Sequence, residues 1–195
     1  MDFETLKKEC KQVCRDYKAC APGYAALLRA ETVEEIINVS VYYWNDVWRD
    51  RFADAVSKNI ERWFEGLENE FHGAGLFVNE ESDKGIVIIN DNSQTYTFTG
   101  RARIYILGKA HIVAKDNCRV FCRCNEAIAE LYDNAGGLFL QGKVTAHDFA
   151  HVDSHQECTC YQLTNIIVSN GVCHDFGHRH LHVNENAKVL KTKEV

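Results

Sequence analysis

Proline is nearly missing from this 195-residue chain: Pro22 is the only one, so no proline-rich spacer divides it. Long apolar runs are missing too. No stretch approaches the roughly 20 apolar residues of a membrane-spanning helix, which excludes that class. The opening residues MDFETLKKEC carry charge where a secretory leader needs an apolar stretch, so the expected location is cytoplasmic, without a membrane partner. Signatures of catalysis are also missing. There is no phosphate-cradling glycine loop, no GxSxG, no HExxH and no paired CxxC motif. Hexapeptide-repeat acyltransferases are catalytic coils, but their period is six and the period here is eight. The expectation is a chain that is not an enzyme and carries no cofactor, zinc being the one metal its residues could hold.

Cysteine, by contrast, is abundant: nine residues, an odd count, in a chain expected to stay in the cytoplasm. Such thiols are expected to be reduced.

From Ile86 onward the sequence aligns in blocks of eight: ARIYILGK from Ala102, AHIVAKDN from Ala110, CRVFCRCN from Cys118, AHVDSHQE from Ala150, CTCYQLTN from Cys158. The third position reads Ile88, Tyr96, Ile104, Ile112, Val120, Ile128, Gly136, Val144, Val152, Cys160, Val168, Phe176, which is a core column. A fixed period of this kind marks a coiled repeat. Alternation within each block excludes a helix, and first, third and fifth positions share a face in an extended strand. Ala110, Ile112 and Ala114, and equally Cys118, Val120 and Cys122, are therefore expected to point inward. Gly100, Gly108, Asp116-Asn117, Asn125 and Asp133-Asn134 supply corners that tolerate left-handed backbone. The predicted fold is α+β: a helical domain over residues 1–80, then a β-solenoid of eight-residue repeats over 84–183, of either hand, then a tail over 184–195. An antiparallel sandwich is the rival, but hairpin loops vary in length and twelve blocks in one phase do not suit it. The period leaves open whether two or three blocks complete a coil.

The preface reads as helices. Phe3, Leu6, Cys10, Val13, Cys14 and Tyr17 recur at helical spacing and stop before a Pro22-Gly23 turn. A second short helix runs through Tyr24–Ala30, and Thr32 with Glu35 forms a capping box for a third through Ile36, Ile37, Val41 and Trp44. Phe52, Val56, Ile60, Trp63, Leu67 and Phe71 share one face of a fourth, ending at Gly73-Ala74-Gly75. Residues 1–80 hold fifteen acidic against ten basic side chains, whereas 81–195 are nearly balanced at thirteen against twelve. Most of the net charge of −6 thus belongs to the helices, either as a solubilising face or as an acidic docking surface for a basic partner.

Two constellations could carry chemistry in the repeats. Cys173, His174, His178, His180 and His182 are the candidate metal ligands, since alternate histidines on a strand stand about 6.5–7 Å apart; the competing role is a polar cap on the last coil. His147, His151 and His155 fall in corner and outward positions and read as surface residues. Arg103, Arg119 and Arg123 lie in a basic stretch. A two-block coil would stack Arg103 with Arg119 and Tyr105 with Phe121 into an Arg-aromatic strip suited to nucleic acid or another anion.

The repeat columns of 102–157 and the segment CAPGYAALLRAET from Cys20 resemble octapeptide-repeat β-solenoid proteins with a helical N-terminal domain, from gut bacteria, their mobile elements and phages. The resemblance implies the fold and transfers no catalytic residue. Pentapeptide-repeat solenoids that imitate DNA are an analogy at the level of fold. The leading expectation is a non-enzymatic protein-binding module with an accessory or anti-defence role, resembling an anti-CRISPR or DNA-mimic inhibitor, whose partner is a nucleic-acid-handling or immune complex. The alternatives are a metal-binding protein using the C-terminal Cys/His cluster, or an anion or nucleic-acid binder. Strand edges at the end of a solenoid need cover, so a homodimer is also expected.

Overall fold

The computed structural model describes residues 1–44 and 54–154 in full, and residues 52–53, 158–160, 165–168, 171–175, 180–183 and 187–191 through their backbone. The chain divides into two units, Met1–Val78 and Asn79–Val195.

Capping chemistry sets the helices of the first unit. α1 (Phe3–Asp16) starts where the Asp2 carboxylate accepts the Thr5 N–H at 2.8 Å, satisfying an amide with no partner inside the helix. α2 (Ala21–Arg29) holds Pro22 in its first turn, where a missing N–H costs nothing, so the expected Pro22-Gly23 turn opens the helix instead. α3 (Val33–Tyr42) carries the expected capping box. Thr32 Oγ1 accepts the Glu35 N–H at 3.2 Å, while the Glu35 carboxylate reaches one residue upstream of the cap and accepts the Glu31 N–H at 2.6 Å. The expected fourth helix is two, α4 (Phe52–Phe64) and α5 (Glu68–Gly73), broken at Gly66 with φ 80°. Glycine in the left-handed region ends a helix, and Leu67 and Phe71 remain buried beyond the break. β1 (Leu76–Val78) closes the unit. Leu6, Leu27, Ile36, Ile37, Ile60 and Trp63 form its core. Across α1 and α4, Arg62 forks onto the Glu9 carboxylate at 2.8 and 2.5 Å, and the Trp63 indole N–H donates to the same group at 2.6 Å.

The second unit is the β-solenoid. Its strands are β2 (Ile86–Ile89), β3 (Thr95–Phe98), β4 (Arg103–Ile106), β5 (His111–Ala114), β6 (Arg119–Cys122), β7 (Ile128–Leu131) and β8 (Gly136–Phe139). They continue as β9 (Lys143–Ala146), β10 (His151–Ser154), β11 (Cys158–Cys160), β12 (Asn165–Val168), β13 (Gly171–Asp175), β14 (His180–Val183) and β15 (Ala187–Lys191). Even-numbered strands from β2 to β14 are parallel neighbours in one sheet and odd-numbered strands from β3 to β15 in another, so two blocks complete each coil. Residues 184–195, expected as a tail, contain β15, which pairs with β13.

The inward columns are those the alternation predicts from β4 to β6: Ala110, Ile112 and Ala114, and Cys118, Val120 and Cys122, are buried. On β2 the expected column already differs, because the step to β4 is seventeen residues and puts Val87, not Ile88, in register with Ile104. The cysteines pack as small apolar groups, Cys122 in register between Ile106 and Phe139, and burial pushes the Cys122 thiol up to about 12. All six cysteines among the fully described residues are free thiols.

The single phase does not survive, however. Arg103 pairs with Arg119, sixteen residues on; Arg119 pairs with Gly136, seventeen on; Gly136 pairs with His151, fifteen on; His151 pairs with Asn165, fourteen on. One extra residue enters the corner at 123–127 and is given back at 140–142. Ile128 is therefore moved out of the core column and is 46 % exposed, while Ala129 and Leu131 are buried in its place. Gly136 likewise gives way to Gly137, which stands in register with Val120. After the fourteen-residue step Val168 is in register with Ser154 and Cys160 with Ala146, a column later than a strict octad places them.

One corner repeats from coil to coil. Gly100, Asp116, Asp133 and Asp148 all take positive φ, at 75°, 55°, 56° and 53°. Each aspartate carboxylate accepts the backbone N–H of its equivalent on the previous coil: Gly100 N–H to Asp116 at 2.8 Å, Asp116 to Asp133 and Asp133 to Asp148 both at 3.2 Å. Asp and Asn tolerate this backbone because a short side chain can bond locally. Asn125, expected to act as such a corner, has no positive φ. Gly108 has none either and serves close approach instead, since a Cβ there would stand 2.1 Å from the Asp91 carbonyl oxygen.

The slip yields a test. Ile112→Asp buries an unpaired carboxylate and should cost several kcal/mol of a total stability of about 5–15 kcal/mol, whereas Ile128→Asp should leave the unfolding midpoint nearly unchanged. Equal damage from both, measured by thermal unfolding, would contradict the register.

Candidate functional site

Two strands per coil build the Arg-aromatic strip that the sequence made conditional on that number. Arg103 stands in register with Arg119 and Tyr105 with Phe121, and the two rings are stacked with centroids 4.7 Å apart and planes 10° off parallel. Much of its chemistry is spent within the protein. Tyr105 is fully buried, and burial raises its phenol pKa. The Arg119 guanidinium donates to the carbonyls of Cys118 and Asn134, both at 2.9 Å, and lies 3.4 Å from the position a Cβ would take at Gly136. Arg103 is exposed; Arg123 is half-buried at the next corner, with its N–H on the Ile106 carbonyl. A base could not stack on Tyr105, which has no open face.

A second cluster occupies the outer side of the odd-numbered sheet. Glu130 on β7 accepts from the Tyr132 hydroxyl at 2.7 Å, and its other oxygen lies 3.0 Å from His111 Nε2 on β5. Tyr132 follows Leu131 at the end of β7, which stands in register with Ala146 at the end of β9, and this puts His147 flat on the ring at 4.4 Å and 2°. From the preceding coil Lys115 sets its ammonium 5.9 Å from the centroid of the same ring. The Tyr132 hydroxyl, then His111 and the charge of His147, hold the Glu130 carboxyl below its ordinary range. A carboxylate so stabilised is a weak proton acceptor, so the arrangement fixes an anion and two rings in place. His111 and Glu130 are only about one-third exposed.

The octad alignment gives no sign of this cluster and sets His147 at the surface together with His151 and His155. Only the one-residue slip before β7 turns Glu130 outward and brings Tyr132 level with His147. The signal was the mismatch of a bulky Leu131 with an expected outward column.

The C-terminal candidates are placed through the backbone. Cys173 and His174 lie on β13, in register with Cys158 and Thr159; His180 and His182 lie on β14, in register with Asn165 and Ile167. The two pairs thus belong to different sheets. His178, like His155, lies outside the described residues, and so do the side chains of the other four. Among the described residues no group of three or more His, Cys, Asp or Glu side chains is placed to hold a metal, and no helix is long and apolar enough to cross a membrane.

No family model matches the chain, and neither a curated protein nor a solved structure does.

Because the folded-state pKa of Glu130 is lowered from 4.5, the stability it contributes is present above that value and is lost as pH falls through the lower folded-state value. The advantage in unfolding temperature of the native chain over Glu130→Gln should be present at neutral pH and vanish in acid. A difference that persists unchanged in acid would contradict the assignment.

Proposed function

We propose that the chain is a non-enzymatic protein-binding module whose helical unit docks a basic partner. The observation that carries this reading is the acidic run from the end of α4 through α5. Glu61, Glu65, Glu68 and Glu70 are all exposed within ten residues. The one cation among them, Arg62, is committed to Glu9. Glu68 is held in its charged form by the Gly66 N–H at 2.9 Å, which lowers its pKa. Fixed carboxylates of one sign steer an oppositely charged surface and set its orientation. Proteins that handle nucleic acid carry dense Lys/Arg surfaces for phosphate, so they are the partner class that fits, and occupation of such a surface would inhibit them.

The solenoid suits a rigid support in this reading. Its ionisable side chains at the Asp corners, at Arg119 and at Glu130 are engaged in coil-to-coil contacts.

Affinity purification from cells that encode the chain tests the proposal, with the Glu61, Glu65, Glu68 and Glu70 to lysine variant beside the native protein. A basic partner recovered by the native chain, released by salt and lost by about tenfold or more in the variant supports it. Retention of the same partner by a folded variant contradicts it.

A further inference from the structure

The helices of the first unit surround a cavity of about 480 Å³. Interiors of proteins ordinarily close to the density of organic crystals. This space instead falls in the range of small-ligand sites, about 300–1,000 Å³, and is about three times the ~150 Å³ that admits a benzene. Its walls are mostly apolar, including Leu27, Ile37, Trp44, Trp63 and Phe71, with Ser40 and Tyr43 among them. Cys10 and Cys14 also line it, and burial pushes their thiols up to about 12 and about 11, so they remain protonated and place no negative charge on the wall.

One charged residue lines the cavity among the described residues, and it is a cation. Lys18 sits in the turn between α1 and α2, in left-handed backbone at φ 54°. It is exposed, as is Cys20 beside it on the same wall. Residues that both line a cavity and meet solvent mark its mouth. A largely apolar chamber whose one charged lining residue is an exposed lysine is complementary to a molecule with an apolar body and a single anionic end.

We propose that this cavity binds an aliphatic carboxylate, its chain among the tryptophan and aliphatic side chains and its head group toward Lys18. A neutral alcohol of the same chain length would gain the walls without the charge. An alkylamine would meet repulsion. The inference is independent of the acidic run on α4 and α5, and either can fail without the other.

The test uses the full chain and dodecanoate, dodecanol and dodecylamine below the concentrations at which they aggregate. Binding is read by tryptophan fluorescence, since Trp44 and Trp63 line the site, and by calorimetry. Saturable binding in the order carboxylate, alcohol, amine is expected. Lys18→Glu, at an exposed position that leaves the core intact, should weaken dodecanoate by about tenfold and leave dodecanol unchanged, as expected for reversal of one solvent-facing charge. Val39→Trp, which fills the chamber, should abolish binding of all three if it folds; if it does not fold, the Lys18 variant decides. No saturable binding, equal affinity for the three ligands, or an unchanged carboxylate preference in Lys18→Glu overturns the proposal.

Discussion

Coil-on-coil parallel hydrogen bonding constrains everything else in the second unit. Neighbouring strands are held about 4.8 Å apart, so each inward side chain must fit beneath its counterpart on the coil above. Ile112, Ala129 and Val144 stand in one stack, and Ala114, Leu131 and Ala146 in the next. On the facing sheet the stacks are Val120, Gly137, Val152 and Cys122, Phe139, Ser154. Large and small residues thus exchange places on the coil of β7 and β8, and each bulky group of that coil is flanked by small ones. Gly137 shows how tight the fit is: a Cβ there would stand 2.7 Å from the Phe139 ring and 2.5 Å from the Val120 carbonyl oxygen. Alternation of this kind fills a narrow interior without voids or strain.

The repeat, the inward columns from β4 to β6 and the capped start of α3 were legible in the sequence because each rests on local chemistry with a short period. Two features were not. The octad grid continued through Ile128 because isoleucine in a third position looks like core, and periodicity alone cannot distinguish a slipped strand from an unslipped one. What distinguishes them is volume: Leu131 and Phe139 are too large for the fifth-column places held by Ala114 and Cys122 on the coil before unless their partners shrink to Ala129 and Gly137. The break at Gly66 was hidden for the opposite reason. Leu67 and Phe71 keep the helical spacing of apolar residues across it, although the left-handed glycine stops the helix itself.

The candidate sites were legible to a lesser degree. The Arg103–Arg119 and Tyr105–Phe121 strip followed from the number of strands per coil, but not the commitment of Arg119 to backbone carbonyls or the burial of Tyr105. Residues that look available in a sequence can be structural in a solenoid, where a corner can recur from coil to coil and its polar groups bond to their own copies. The aspartate corners show this most plainly, with each carboxylate satisfying an amide of the previous coil. The helical unit, free of that constraint, carries the exposed acidic run from Glu61 to Glu70 and the chamber lined by Trp44 and Trp63.

The account depends most on the one-residue shift that carries the chain from β5 and β6 into β7 and β8. Nuclear Overhauser contacts between backbone protons of neighbouring strands report that register directly. Cross-strand contacts joining Ile112 with Ala129 and His111 with Ile128 are predicted. Contacts that join Ile112 with Ile128 in the paired positions, as an unbroken octad requires, would contradict it.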